Sequence, residues 1–224
     1  MKAAAMRIAL TATVLIVLFT TAWAANDVFV TVQSLTADLE SRSIDRIDKS
    51  LNDIKTMSYK GQILPFVKDL WEQRKDKHPG LPWDVIGSEI VRVELADILL
   101  QAWKNGRMKL DPQPMHHLVS SLINSDDPDV ARKAIGALSM VDDEADVEGI
   151  HQVAKQKEST TFRVAVMTLS SMCNQKAARA MAELERSITE PQLKSYIMQR
   201  KQKADEFKEQ TKWCDPNRGN LGSK

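Results

Sequence analysis

The stretch SDDPDVARKAIGALSMVDDEADVEGIHQVAKQKE, which runs from Ser125 to Glu158, decides the fold of this chain. Asp127 followed by Pro128 is typical of a helix start, because an aspartate side chain accepts the first free backbone N–H groups and proline suits the first helical position. Apolar residues then recur at helical spacing, and an acidic turn separates them from a second apolar segment. The stretch therefore predicts two helices joined as a hairpin.

The following stretch, STTFRVAVMTLSSMCNQKAARAMAELERSI, repeats this spacing at a shift of 31 residues. Arg132 aligns with Arg163, and apolar or small residues align along both predicted helices. A period of 20–50 residues indicates a stacked array, because one hairpin cannot bury its apolar face alone. We therefore predict a repeat core formed by Ala134, Leu138, Ile150 and Val153 in one copy and by Ala165, Leu169, Met181 and Leu184 in the next.

The preceding helix fits the repeat only at a shift of 38 residues, which aligns Ala96 with Ala134 and Leu100 with Leu138. Seven extra residues therefore lie in the connection from Asn105 to Pro114. Insertions in repeat arrays often gather on the binding face. The insertion is a candidate binding loop, or else it accommodates a change in stacking angle.

The pattern of the Asp127–Val153 copy resembles the HEAT repeat, in the short bacterial form also called the phycobilin-lyase HEAT-like repeat. The resemblance lies in Asp127-Pro128-Asp129-Val130, in Ala134 and Leu138, and in the paired apolar residues of the second helix. It covers roughly Asp84 to Arg200, with a final partial copy that begins at Thr189. The resemblance implies an all-α fold, a right-handed α-solenoid of stacked helical hairpins, and a role as a scaffold or binding surface. It carries over no lyase residue and no photosynthetic partner.

The remaining segments extend this array at both ends. Residues 25–83 are expected to form N-terminal helices that cap the array, with Asp27 to Met57 read as one long helix or two. The repeats are expected over residues 84–212. We expect Asp84 to cap the helix that ends at Asn105-Gly106, and Asp111-Pro112 to start the next. Residues 213–224 are expected to form a disordered tail, because they are polar and terminal.

The first 24 residues predict a secretory signal peptide. Lys2 and Arg7 precede an apolar run from Ile8 to Thr21, and Ala22-Trp23-Ala24 fits a cleavage site. An uncleaved anchor is the alternative, although the apolar run is short for a membrane span. The sequence thus predicts an exported protein, periplasmic or secreted, in a bacterial cell envelope, with no integral membrane segment after cleavage.

The charge balance argues against partners that need a strongly basic surface. The full chain carries 31 basic and 30 acidic residues, and removal of Lys2 and Arg7 with the signal leaves 29 against 30, a net charge of −1. We therefore expect no nucleic acid among the partners.

No catalytic, cofactor-binding or metal-binding signature stands out. Adjacent His116 and His117 diverge by about 100° on a helix, so both cannot bind one metal ion. The acidic run from Asp142 to Glu148 lacks the closing glutamate of a calcium loop and is better explained as a helix start. The serines lack an evident base. Basic residues between Lys194 and Lys212 alternate with acidic ones, which indicates a solvated helix face.

Two functional hypotheses follow. The first is an exported HEAT-like adaptor or scaffold that binds a protein partner in the cell envelope. The alternative is an enzyme, or an accessory subunit of one, with a pocket built from residues that are not contiguous in sequence. A further alternative is a structural or stress protein without a defined ligand.

Cys173 and Cys214 are the two cysteines of the chain. Cysteines of an exported protein meet an oxidising compartment, so we predict a disulfide bond between them. It would fold the end of the last helix back onto the final full repeat. The alternative is a buried Cys173 and an exposed Cys214 that pairs between chains.

Overall fold

The computed structural model describes residues 31–56, 60–156 and 160–215. These residues form eleven helices and no strand, so the expected all-α fold is confirmed. The proposed signal peptide (1–24) and residues 216–224 lie outside the described residues. The helices are 31–40 (α1, as far as it is described), Ile44–Thr56 (α2), Lys60–Trp71 (α3), Trp83–Ile86 (α4), Glu89–Lys104 (α5), Gln113–Ser121 (α6), Pro128–Leu138 (α7), Val147–Lys155 (α8), Thr160–Ser171 (α9), Gln175–Ser187 (α10) and Pro191–Thr211 (α11).

Local capping chemistry accounts for several of these helix boundaries. The side chain of Asp127 caps α7 and accepts hydrogen bonds from the backbone N–H groups of Asp129 and Val130, at 2.9 and 3.3 Å. Asn174 caps α10 in the same way, with its Oδ1 atom 2.8 Å from the N–H of Ala177. Arg42, with a φ of 57°, lies between α1 and α2, so this region forms two helices.

Two expected helix starts are wrong. Asp84 lies inside the short helix α4, and α5 begins after Ser88 instead. Asp111 accepts the N–H of Gln113 at 3.0 Å, but Pro112 holds the cap position and α6 begins at Gln113. In the first case the apolar spacing continues across the break at Gly87, so the sequence pattern does not reveal that break. In the second case the aspartate forms a local turn with Gln113, and the helix cap lies one residue later.

The helices after α4 pack in a regular order. Helix α5 contacts α7, α7 contacts α9, and α9 contacts α11. Helix α6 contacts α5 and α7, whereas α8 contacts α9 and α10, and α10 also contacts α9 and α11. One apolar core runs through the elements, and all eight residues predicted for the repeat core lie in it, the most exposed being Val153 at 5%.

Hydrogen bonds join side chains in one hairpin to the next at nearly constant sequence separation. The Thr168 hydroxyl donates to the Ile135 carbonyl at 3.0 Å, 33 residues away. The backbone N–H of Cys173 donates to Asp142 at 2.8 Å, 31 residues away, and the Tyr196 hydroxyl donates to the Arg163 carbonyl at 3.2 Å, again 33 residues away. These separations lie within two residues of the 31-residue shift seen in the sequence.

The glycine of α8 lies against the side chain of Ile123. A Cβ atom on Gly149 in α8 would lie 2.5 Å from Cδ1 of Ile123, just beyond α6. No side chain tolerates that distance unless Ile123 moves. A larger residue at Gly149, which follows the acidic run, would therefore displace the end of the Ile123 side chain.

The N-terminal helices join this core through a buried ion cluster. The Glu94 side chain, 2% exposed, lies in α5 and accepts hydrogen bonds from Lys55 of α2 and Lys133 of α7. Lys55 also pairs with Asp97 at 2.7 Å. Burial alone lowers the pKa of Lys55, but Asp97 and Glu94 outweigh it and raise that pKa above its ordinary value.

The insertion after α5 packs against the core. Met108 and Leu110 are half-buried and contact the core cluster, and the N–H of Arg107 donates to the Ala102 carbonyl at 2.8 Å. These contacts favour the second explanation of the insertion, an adjustment of the packing between α5 and α6.

The first residues of the expected tail are packed. Trp213 is 8% exposed, and Lys212 before it ends α11 in the left-handed conformation with a φ of 50°. Cys214 follows in a turn. Residues 213–215 thus belong to the packed structure.

Candidate functional site

An open groove of about 830 Å³ runs along α11 at the C-terminal end of the molecule. Most of its lining comes from one face of α11, and Glu185 of α10 forms part of the opposite wall. The lining surface is mainly apolar, although most of its residues are polar or charged, because the aliphatic stems of long side chains form it. The lining residues are Glu185, Pro191, Lys194, Ser195, Met198, Gln199, Lys201, Gln202, Asp205, Glu206 and Glu209.

Helix α11 has one buried face and one exposed face. Ile197 is fully buried, and Leu193 and Tyr196 pack against the same core. Met198 is 51% exposed and lines the groove. Within the described part of the chain no helix follows α11, so this face stays uncovered. The groove therefore offers an apolar anchor point among flexible polar side chains.

Charges are unevenly distributed along the groove. Four acidic and two basic side chains line it, which gives a net charge of −2. Lys201 and Glu185 form an ion pair at 3.5 Å, and Gln202 donates to Glu206 at 3.0 Å. Among residues 31–56, 60–156 and 160–215, no side chain forms a salt bridge with Lys194 or Glu209, whereas Asp205 attracts Lys208 electrostatically. The half of the groove nearer the C-terminus is consequently acidic.

The far end of α11 is fixed to α9. The sulfur atoms of Cys173 and Cys214 lie 2.10 Å apart, and their Cα atoms 5.5 Å apart, so the predicted pair is at disulfide distance. The Lys208 ammonium donates to the Met172 carbonyl at 2.7 Å, and burial lowers the pKa of Lys208. The ring centroid of Trp213 lies 5.6 Å from that of Phe207. These contacts set the position of the acidic half of the groove.

Two carboxylates of the acidic run after α7 accept hydrogen bonds from neighbouring hairpins. Asp142, in the left-handed conformation with a φ of 60°, accepts the N–H of Cys173 and the amide of Asn174, the latter at 2.9 Å. Asp146 accepts hydrogen bonds from His116 Nε2 and from the Ser120 hydroxyl, both at 2.7 Å. These carboxylates connect successive hairpins, a role that the explanation of the run as a helix start missed.

The same contacts keep Ser120 and His116 apart from each other. Its hydroxyl donates to Asp146, and the histidine donor reaches that same carboxylate and not the serine oxygen. A serine–histidine pair would instead require the serine to donate to the imidazole. This cluster therefore holds α6 against the start of α8.

The histidines occupy four different settings. His116 is buried and His117 is exposed, although their rings are nearly parallel, with centroids 6.1 Å apart. His78 lies 3.3 Å from Asp69. His151 is buried in α8, and burial together with nearby Lys155 lowers its pKa. In the portion of the chain that the structure describes, no cluster of three or more His, Cys, Asp or Glu side chains is arranged to hold a metal ion.

The sequence reasoning missed this groove. It placed a candidate binding site at the insertion from Asn105 to Pro114 and read the alternating charges of α11 as a solvated face. Two signals pointed to α11: within the described residues no helix follows the one in the partial copy that begins at Thr189, and Met198 occurs beside the core residue Ile197. An apolar residue next to the buried stripe widens the apolar face of a helix beyond what one neighbour can cover.

None of the helices in the described part of the chain combines the length and the apolar character that crossing a membrane requires. Comparison of the chain with protein-family models, with curated proteins and with solved structures finds no match.

Proposed function

We propose that this protein is an exported, HEAT-like scaffold that binds a helix of a partner protein in the groove along α11. Its helices after α4 form a right-handed α-solenoid of stacked hairpins, and the helices before it cap the N-terminal end. The recurring separations of 31 and 33 residues between hydrogen-bonded groups support the stacked arrangement. So does the order in which α5, α7, α9 and α11 contact one another.

One observation carries the binding site: the groove lies where the next helix of the array would pack. Helix α10, the second helix of the last full hairpin, contacts α8, α9 and α11. By analogy, the second helix of the partial copy would lie beside both α10 and α11, and these are the two helices that line the groove. A partner helix in this position completes the array, which is a common mode of peptide recognition.

Export is supported by two independent features of the chain. The signal pattern of residues 1–24 directs secretion, and two cysteines at disulfide distance suit an oxidising compartment such as a periplasm. The partner accordingly belongs to the cell envelope or the extracellular space.

Site-specific photocrosslinking tests the proposed site. A photoreactive amino acid placed at Met198 should give an adduct with a partner protein in intact cell envelopes, and the crosslinked peptide should map to a helical segment. Met167 in α9, which is 40% exposed and lies outside the groove, provides the matched control position. The adduct should form from position 198 and not from position 167.

The competing outcomes are distinct. Equal adducts from both positions would indicate nonspecific contact and contradict the site. An adduct between two copies of this chain would make the groove a self-association surface, which sedimentation of the purified protein would show independently.

A further inference from the structure

The charges along the groove specify the kind of helix that it receives. We infer that the occupant is an amphipathic helix with basic residues in its N-terminal half, lying antiparallel to α11. This inference rests on the proposed function, because it assigns a partner chemistry to the same groove.

The acidic half of the groove requires cations from the partner. Asp205, Glu206 and Glu209 lie within about 1.1 helical turns, or roughly 6 Å along the axis, and all three line the groove. Like charges at this spacing repel one another when no cation is near. Lys208 attracts Asp205 electrostatically, but its ammonium group donates to the Met172 carbonyl, and one cation among these three carboxylates still leaves a net charge of −2. Lysine or arginine side chains of a partner helix would relieve that repulsion.

The opposite end of the groove requires the reverse charge. Lys194 lines it and pairs with no other residue that the structure describes, whereas Lys201 is already paired with Glu185. A carboxylate near the C-terminal end of the partner helix would meet Lys194. From Lys194 to Glu209 the helix rises about 22 Å, which corresponds to a partner helix of about 15 residues.

The helix dipole favours the same orientation. An antiparallel partner helix places its N-terminal end, which carries a partial positive charge, against Asp205, Glu206 and Glu209. It places its C-terminal end, which carries a partial negative charge, near Lys194. Antiparallel packing is also the arrangement that a short connection imposes within a helical hairpin. Charge pattern, dipole and hairpin geometry therefore agree on one orientation.

The exposed methionine supplies the contact that holds the helix between the two charged ends. Met198 lies one helical turn beyond Lys194 and about two turns before Asp205 on the same face of α11. A flexible thioether adapts to apolar side chains of different shape. An apolar stripe on the partner helix is expected to rest on it.

A pair of synthetic helices tests the inference on the full mature protein. The first peptide has 15 residues, an apolar stripe, three lysines in its N-terminal half and one glutamate in its C-terminal half. The second keeps the same stripe and exchanges every lysine for glutamate and the glutamate for lysine. Both are stapled, because free peptides of this length are only marginally helical. Fluorescence anisotropy measures both affinities.

The basic peptide should bind about tenfold more tightly than its charge-reversed counterpart, because about three exposed ion pairs distinguish the two complexes. The preference should shrink between 50 and 500 mM salt as the charges are screened. The double variant Asp205→Lys/Glu209→Lys should bind the charge-reversed peptide better than the basic one. Asp53→Lys, an exposed change of the same sign in α2, should leave the wild-type preference intact.

Orientation is read by a photoreactive group at the N-terminus of the basic peptide, which should crosslink to the acidic half of α11. Crosslinks near Lys194 would overturn the antiparallel arrangement. If both peptides bind the wild-type protein equally well and neither binds the variant Met198→Glu, the basic-helix inference is overturned, but the groove remains the binding site. Absence of binding by either peptide, together with absence of an adduct from position 198 in envelopes, would overturn the proposed function itself.

Discussion

At the scale of single residues, burial of Leu138 provides the most direct measure of the repeat register. Leu138 is fully buried at the end of α7, and its equivalent Leu169 is 1% exposed in α9. Replacing Leu138 with alanine should lower the free energy of unfolding by about 2–5 kcal/mol, because the substitution leaves a cavity. Urea denaturation followed by circular dichroism measures the loss.

Met167→Ala provides the comparison for that measurement. Met167 is 40% exposed in α9, so its truncation should change the free energy of unfolding by about 0.5 kcal/mol or less. A loss at Leu138 as small as that at Met167 would contradict the assigned register.

His151 should make the stability depend on pH in slightly acidic solution. Burial, with Lys155 nearby, lowers its pKa in the folded protein, and the charged groups around it are Lys155, Glu148 and Glu183, the last at 4.0 Å. The unfolded chain protonates this histidine near pH 6.5. Between that value and the lower folded pKa, the unfolded state binds more protons, so stability falls as pH falls.

The wild-type protein should therefore lose stability between pH 7 and pH 5 more steeply than the variant His151→Gln, by at most about 1.4 kcal/mol per pH unit. Urea denaturation at half-unit pH intervals gives the two slopes. Parallel slopes would show that His151 titrates alike in the folded and unfolded chain.

The same residues show what a sequence can disclose at this scale. Asp127 was predictable as a cap because its hydrogen bonds reach only two and three residues ahead. Asp142 was not, because its partners Cys173 and Asn174 lie 31 and 32 residues away. Its acceptor role depends on how two hairpins pack against each other, which the local sequence pattern does not predict.

At the scale of helices, the pair Cys173 and Cys214 controls the position of α11. A disulfide bond between them closes a loop of about 40 residues, which in the chain-entropy model stabilises the folded state by about 4 kcal/mol. The variant Cys173→Ala/Cys214→Ser should lose stability of that order. Intact mass after alkylation under denaturing conditions, with and without reductant, tests the bond: the unreduced protein should take up no alkylating reagent.

A disulfide between chains gives a different result. It would appear as a dimer on a non-reducing gel, and dilution before oxidation would abolish it. Two alkylated thiols in the unreduced monomer would show that the bond does not form.

The helix boundaries illustrate how periodicity both informs and misleads. Ile86 and Ile90 stay in phase across the break between α4 and α5, so the apolar pattern indicated one helix where there are two. The break follows from Gly87 and Ser88, at which the chain turns. In α11, Ile197 lies in the core and Leu193 packs against it, at the helical spacing that the sequence shows, but sequence could not show that the other face remains uncovered.

At the scale of the whole molecule, Glu94 couples the N-terminal helices to the remainder. It lies in α5 between Lys55 of α2 and Lys133 of α7, each 39 residues away. Removing one partner of a buried ion cluster is costly because the remaining charges lose their compensation. Glu94→Ala should lower the free energy of unfolding by about 3 kcal/mol, measured by urea denaturation.

Glu72→Ala serves as the control, because its ion pair with Lys68 is exposed and spans one helical turn, so its loss should cost no more than about 0.5 kcal/mol. Hydrogen exchange should quicken in α2 as well as in α7 in the Glu94 variant. Faster exchange confined to α5 would indicate that the N-terminal helices fold independently of this cluster.

The cysteine pair also determines how the molecule carries mechanical load. If tension is applied at the C-terminus, a covalent link at Cys214 passes it directly to Cys173 at the end of α9, and α11 is bypassed. The segment between the two cysteines, whose sequence separation is 41, is then not extended, and its contour length is about 140 Å. In an optical trap, reductant should release that length as an additional extension step. The disulfide bond would thus prevent α11 from being pulled out until the bond is reduced.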